Sequence, residues 1–280
     1  MRRNRPSRTA QFVTLARALA NAGLSHVRGF HDPTARVFLS ERGARALAKS
    51  SQAWAEGKRT RRVAGSRVMA DMLALRTSAI DAAVRDAIAG GIKQLVILGA
   101  GYDGRAWRMP ELAGVRVFEV DHPATQGEKR VRAAQLQAPI GDVHFVPTDF
   151  EQDSLDQVLD RGGHDRALPT CWIWEGVVMY LTHEAMQGTL RDVAARSASG
   201  STLIVNYHTI HRQWFAKIIY WLIGEPQISA WTRDQMAEEL KGAGFEVQHD
   251  SGMNDWNARF ANGEAETHRG AFMRVAVATR

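Results

Sequence analysis

The chain is poor in cysteine: Cys171 is alone among 280 residues, which excludes an internal disulfide and points to a reducing cytoplasm. Long hydrophobic runs are also missing. The most apolar stretch, residues 218–223 within AKIIYWLIG, is far shorter than the roughly 20 residues a membrane span requires, and is expected to be a buried helix. The opening MRRNRPSRTAQFVTLARALANAG is basic but lacks an apolar h-region and a small-residue cleavage site, so no secretory signal is expected. Acidic residues are scarce in the first quarter. Residues 1–76 hold 16 Lys and Arg against 4 Asp and Glu, a local charge of +12 that leaves −6 for the remainder. There is no internal repeat and no low-complexity tract, and no metal is expected.

A hydrophobic share of 45% with 24% charged residues excludes a disordered chain, and the length suits one large α/β domain with an elaboration. Residues 1 to about 65 read as short helices and loops, broken at Asp32-Pro33 and near Glu56-Gly57. From Arg67 to Ala89, apolar residues at Val68, Met72, Ile80, Val84 and Ile88 follow a helical period that Gly90-Gly91 ends. Leu95 to Leu98 is a continuous apolar run, as in a strand buried on both faces of a parallel sheet. Strand-like runs recur at Val115–Val120, Val143–Val146, Cys171–Trp174 and Leu203–Val205, with helical stretches at Glu128–Gln135 and Glu184–Ala195. This alternation predicts a parallel, doubly wound α/β sheet with right-handed crossovers. After a capped helix at Thr232–Lys241 come strands at Phe245–Val247 and Phe272–Ala278. With no helical pattern evident between Gly252 and Gly270, a hairpin-like return is expected for that pair.

Four polar positions fall at the carboxyl ends of the predicted parallel strands, where open α/β sheets bind ligands. In LGAGYDGR, Gly99 and Gly101 let the backbone turn sharply and approach a ligand. Asp121, about 20 residues beyond the first glycine, can accept hydrogen bonds from a ribose diol, although it could instead cap the helix after His122-Pro123. Asp149 with Phe150 can take an adenine amino group and ring, or simply form a turn. Glu175 ends the apolar run Trp172-Ile173-Trp174, where a carboxylate is costly without a partner or a role.

The stretches LRTSAIDAAVRDAIAGGIKQLVILGAGYDGRAWRMP, VFEVDHP, FVPTDF and WEGVVMYL, with Asp32-Pro33-Thr34-Ala35 upstream, resemble the leucine carboxyl methyltransferase family over residues 30 to 208. That resemblance implies a seven-stranded, mostly parallel sheet of the class I methyltransferase type with a reversed C-terminal strand pair and a helical N-terminal cover. It implies two parts: residues 1–65 as substrate cover and 66–280 as the S-adenosyl-L-methionine-binding domain. It also implies roles. Arg76 would pair with the methionine carboxylate of the cofactor. Gly99 and Gly101 would line the methionine portion, with Ala100 and Asp103 also among the cofactor-binding residues. Asp121 would hold the ribose, Asp149 and Phe150 the adenine, and Glu175 would lie by the amino group and the methyl-transfer cleft. Gly104 departs from the family pattern, which has a small hydroxyl residue there, and completes a G-x-G-x-x-G triplet.

Methyl transfer from a sulfonium needs alignment and exclusion of water, and a carboxylate acceptor needs no general base. No catalytic triad is present. Glu175 and Tyr180 are the candidates at the reacting centre, Tyr180 as an orienting group, with Tyr207 and His208 on the substrate side. The acceptor is expected to be a carboxylate of a small acidic molecule, free or on an acidic carrier protein, with phenol or enol oxygen as the alternative. Two other readings compete. The glycine triplet and Asp121 suit a NAD(P)-dependent oxidoreductase, but Asp149-Phe150, the reversed strand pair and the Arg76 helix speak against it. The basic segment suits an RNA- or partner-binding module, but no aromatic-rich single-strand-binding motif accompanies the charge, which argues against nucleic acid.

Overall fold

The computed structural model describes residues 8–58, 60–150, 152–209, 227–266 and 271–280. Seven strands form one sheet: β1 (Gln94–Leu98), β2 (Arg116–Asp121), β3 (Asp142–Pro147), β4 (Thr170–Trp174), β5 (Thr202–His208), β6 (Glu246–Gly252) and β7 (Met273–Thr279). Their spatial order is β3-β2-β1-β4-β5-β7-β6. The first five are parallel, and β7 runs antiparallel to both β5 and β6. All residues of β1, β4 and β5 are buried, as their continuous apolar runs require of central strands covered on both faces. Strand order reverses between β1 and β4, and this opens a crevice at their carboxyl ends. Leu98 is in register with Trp174, so the loop after β1 and the loop after β4 face each other across it.

Helices cover both faces. On one lie α1 (Arg8–Asn21), α2 (Thr34–Val37), α3 (Glu41–Ala55), α4 (Arg61–Ala89) and, late in the chain, α10 (Met253–Ala261). There Leu75, Ile80 and Val84 of α4 pack with Leu95 and Ile97 of β1, Ile173 of β4 and Trp256 of α10. On the other face Val96, Leu98, Trp172, Trp174, Leu203 and Val205 meet α7 (Leu155–Arg161), α8 (His183–Ala195) and α9 (Arg233–Gly242). Between β1 and β3 lie α5 (Arg105–Arg108) and α6 (Pro123–Ala133). Gly91, at φ +97°, turns the chain out of α4 into β1.

Two expectations are corrected. The helix before β1 starts at Arg61, not Arg67, because the Thr60 hydroxyl accepts from Val63 N–H and caps a polar first turn that carries no apolar period. Its 29 residues span about 43 Å, and residue 65 lies inside this continuous helix. The return from β6 to β7 is not a hairpin but α10. The Asp255 carboxylate accepts from Gly252 N–H at 2.8 Å to start the helix, and Asn262 at φ 50° stops it. Met253, Trp256 and Phe260 do keep a helical spacing, but the polar residues between them obscure it, and burial against α4 carries the helix. The apolar stretch 218–223 lies outside the described residues. Among the described residues no helix is long and apolar enough to cross a membrane.

At the lower end of the sheet, His164 is buried between two fixed partners. Arg196 Nε–H donates to His164 Nδ1 at 3.3 Å, and His164 Nε2 lies 2.9 Å from Thr170 Oγ1. An imidazole that accepts at Nδ1 is neutral. Burial, with Arg196 beside the ring, pushes its pKa down to about 4. The unfolded chain therefore binds a proton at higher pH than the folded one. This contribution to stability is present above about pH 6.5 and is lost as pH falls through 4, up to about 3 kcal/mol. Urea unfolding from pH 7 to 4 should show a shallower decline in a folded His164→Gln variant than in the parent; parallel declines would refute the assignment.

Candidate functional site

The crevice is built first by backbone. After β1, Gly99 N–H and Ala100 N–H both donate to Val120 O, at 2.8 and 3.1 Å, folding the loop onto the end of β2. Gly99 sits at φ +67°, and a Cβ there would come within 2.5 Å of Val177 Cγ2, so the turn demands glycine. The Asp121 carboxylate closes the loop: Oδ2 accepts from Gly101 N–H and Oδ1 from His122 N–H at 2.6 Å. Burial pushes this carboxyl up, while the two N–H groups pull it down. Each oxygen retains lone-pair capacity for a ligand diol.

Gly104 serves a different purpose. A Cβ at this position would lie 1.8 Å from Thr34 Oγ1, so the N-terminal segment occupies the space a side chain would take. The Thr34 hydroxyl stands where a hydroxyl from residue 104 would be, and donates to Asp32 Oδ1 at 2.5 Å. The third glycine of the triplet thus accommodates the protein's own chain. The helix that follows, α5, has four residues, too short for the dipole-bearing helix that a dinucleotide pyrophosphate requires.

Behind the loop runs a chain of buried ion pairs. Arg76 Nη2, from α4, meets Glu175 Oε1 at 2.7 Å. Glu175 Oε2 accepts from Arg105 Nη1 at 2.9 Å, and the same guanidinium holds Asp103 and, through Nε, Asp81 Oδ1 at 2.7 Å. Arg108 grips both oxygens of Asp81, at 2.7 and 2.9 Å. Its Nε lies 3.8 Å from Asp32, which also meets Arg17 of α1 at 3.2 Å. Arg17 Nη2 then donates to Tyr102 O at 2.6 Å. Burial alone would raise Asp81, but Arg108 and Arg105 outweigh it and hold its carboxyl at about 2. Glu175 is likewise held below the usual carboxylate range, Arg76 and Arg105 overcoming burial.

The structure gathers Arg76, Gly99, Ala100, Gly101, Asp103, Asp121 and Glu175 around the ends of β1, β2 and β4. Asp103 turns its carboxylate inward, to Arg105 N–H at 2.7 Å and to the guanidinium. Asp149 is half-buried in the loop after β3, where its Oδ2 accepts from Gln152 at 2.9 Å, and the ring of Phe150 is 43% exposed beside it. Tyr180 is half-buried in the 3-10 turn Val178–Tyr180. Tyr207 and His208 separate, because neighbours on a strand face opposite ways. His208 faces Arg76 and packs edge-on against Phe272; burial, then Arg76, push its pKa down to about 3. Tyr207 enters the opposite core, its hydroxyl donating to Asp250 Oδ2 at 2.7 Å.

Arg17, Asp81, Arg105 and Arg108 are not singled out by the sequence pattern, and Asp32 and Thr34 enter it only within the stretch Asp32-Pro33-Thr34-Ala35, with no role attached. A faint signal exists: Arg76 and Asp81 fall among the mostly apolar residues of the helix before β1, and Arg105 and Arg108 are one helical turn apart after Asp103. The N-terminal segment also builds the loop's surroundings, since α1 brings Arg17 to the glycine loop and places Ala10 within 3.4 Å of where a Gly101 Cβ would sit.

The family model for leucine carboxyl methyltransferase matches residues 10–194, two thirds of the chain, including the glycine loop and the strands β1 to β4. The chain belongs to the leucine carboxyl methyltransferase family. A "Putative S-adenosyl-L-methionine-dependent methyltransferase" of Parafrankia sp. (strain EAN1pec) is 42% identical over 132 residues, 47% of this chain and 42% of that protein. A protein of the same name from Frankia alni is 36% identical over 198 residues, 70% of this chain and 66% of that one. The chain spans about half the length of most of the curated relatives it matches. Among solved structures, a DUF574 family protein from Streptomyces avermitilis superposes with a TM-score of 0.63 at 19% identity, covering 99% of this chain and 98% of that one. A protein from Thermobifida fusca YX gives 0.60 at 14%, covering 100% and 96%. These two likenesses show the fold.

In this leucine carboxyl methyltransferase relative, Gly104→Ser should lower stability by about 2 kcal/mol through overpacking. Adding Thr34→Ala should recover most of that loss in urea titrations, since one hydroxyl then replaces the other. A single variant as stable as the parent would contradict the packing described.

Proposed function

We propose that the chain is an S-adenosyl-L-methionine-dependent O-methyltransferase that esterifies a carboxylate of a small acidic molecule. The observation that carries the cofactor assignment is the opposed pair Arg76–Glu175 beside the glycine loop and Asp121. An α-amino acid end carries an anion and a cation, and Arg76 and Glu175 offer one partner for each. Asp121, which closes the loop through Gly101 N–H, is the proposed ribose partner. Asp149 and Phe150 are the proposed adenine contacts. When bound, the cofactor supplies a methyl group made electrophilic by its sulfonium.

The residues present support an acceptor that is already ionised. His208, pushed to about 3, is too weak a base to deprotonate a phenol at neutral pH. Glu175 is engaged by two arginines. What the chain supplies is positioning, exclusion of water and charge, with Tyr180 and His208 as the proposed groups on the acceptor side. Arg42, Arg45, Lys49, Arg61 and Arg62 are exposed on α3 and the start of α4, and their field favours an anionic substrate. Cys171 is buried in β4, its thiol pushed up by burial to about 12, so it is no nucleophile at neutral pH.

S-adenosylhomocysteine should bind in calorimetry, and Asp121→Ala should weaken it by about 1–3 kcal/mol, the loss of charged hydrogen bonds; unchanged affinity in the folded variant would remove the ribose assignment. The acceptor is tested by screening carboxylic acids and phenols with methyl-labelled cofactor. A carboxyl methyl ester releases volatile methanol on mild base treatment. Base-stable label would instead identify a phenol or enol oxygen.

A further inference from the structure

Arg105 is 1% exposed and holds three carboxylates at once. Its Nη2 is buried with no hydrogen-bond partner, and so is Nε of Arg76. Glu175 divides its two oxygens between these arginines: Oε2 faces inward to Arg105, and Oε1 faces Arg76. Counting along the pairs, Arg17, Arg76, Arg105 and Arg108 are matched by Asp32, Asp81, Asp103 and Glu175, four against four.

A zwitterion inserted between Arg76 and Glu175 preserves that balance. Its carboxylate takes over Arg76 and its ammonium takes over Glu175 Oε1, so no buried charge is left alone. The exchange works only if Glu175 stays ionised and still once Arg76 has turned to the ligand. The groups facing Glu175 are Arg76 from α4, Arg105 from α5, Arg17 from α1 and Asp103 from the glycine loop, while neutral His208 on β5 faces Arg76. With Arg76 engaged elsewhere, Arg105 is the cation in contact that opposes both burial and Asp103.

We propose that Arg105 is the positioning residue of this site, holding Glu175 by its inner oxygen so that the outer oxygen receives the ammonium of the cofactor's amino-acid end. The inference rests on the S-adenosylmethionine reading above. It assigns Arg105 no contact with the reacting atoms.

The test is calorimetry of S-adenosylhomocysteine and 5′-methylthioadenosine, which lacks the amino-acid end, at pH 8 and 5.5. S-adenosylhomocysteine remains a zwitterion across this range. The parent chain should bind it equally at both pH values. Arg105→Gln should bind it at least tenfold more weakly at pH 8, and more weakly again at pH 5.5 as Glu175 gains a proton. Its affinity for 5′-methylthioadenosine should change less than twofold. Arg105→Lys should recover most of the acid-dependent part, because the charge is restored though the fork is not. In a Glu175→Gln background, Arg105→Lys should cost nothing further. Equal losses for the two ligands, or a loss independent of pH, would make Arg105 a scaffold residue and overturn the proposal. If Arg105→Gln does not fold, the Arg105→Lys comparison with and without Glu175→Gln decides the matter. A parent chain that binds 5′-methylthioadenosine but not S-adenosylhomocysteine would overturn the inference with Arg105 untouched; one that binds neither would overturn the cofactor reading beneath it.

Discussion

Four guanidinium groups buried beside a glycine loop are tolerable only because four carboxylates are buried with them. Removing any one member would leave an uncompensated charge, a cost of about 3–5 kcal/mol. The pairs therefore fix relations that apolar packing leaves soft. Asp32 and Arg17 bring the N-terminal segment onto the loop, Asp81 ties α4 to α5, and Glu175 ties the end of β4 to both. Arginine suits every node, since its planar fork serves two acids at once and its charge persists under burial. The crevice inherits its geometry from this network as much as from the sheet.

The sheet was legible in the chain because its central strands are buried on both faces. Nothing polar interrupts Leu95 to Leu98 or Cys171 to Trp174, and glycine or an acid ends each run. The helix α10 was not, because its stability comes from Trp256 and Met253 meeting α4, a contact between residues far apart in sequence. The site divides the same way. Gly99, Asp121 and Glu175 are readable because position at a strand end already limits what they can do. Arg105 is not, since its three acids stand at residues 81, 103 and 175 and no local period joins them. Tyr207 and His208 show a further limit: adjacency in sequence suggested one substrate-facing pair, but the pleat sends them to opposite cores.

Gly104 illustrates how one residue can satisfy a motif for an unrelated reason. Glycine is selected wherever something must come closer than a Cβ permits, and the something can be a pyrophosphate or the chain itself. Here it is Thr34, and the space belongs to the turn that presents Asp32 to Arg17 and Arg108. The triplet therefore reports on how the N-terminal segment is attached, not on a dinucleotide.

That attachment also explains why the charge of the first 76 residues should not be treated as one quantity. Arg17 and Arg76 are buried and matched one for one, so they contribute geometry but no net field. Arg42, Lys49, Arg61 and Arg62 are exposed, Arg45 is no closer than 3.9 Å to Glu41, and Lys58 is held at 2.6 Å by Glu56. Among the described residues, α3 and the first turns of α4 thus carry five exposed basic side chains. A field of this kind acts on approach and is screened over about 8–10 Å at ordinary salt, whereas the buried pairs are screened far less. The same segment is thus divided by depth: these five basic side chains lie at its surface, and its buried arginines hold Asp32 and Glu175. Because the buried set is already neutral, the surface charge can vary without unbalancing the interior.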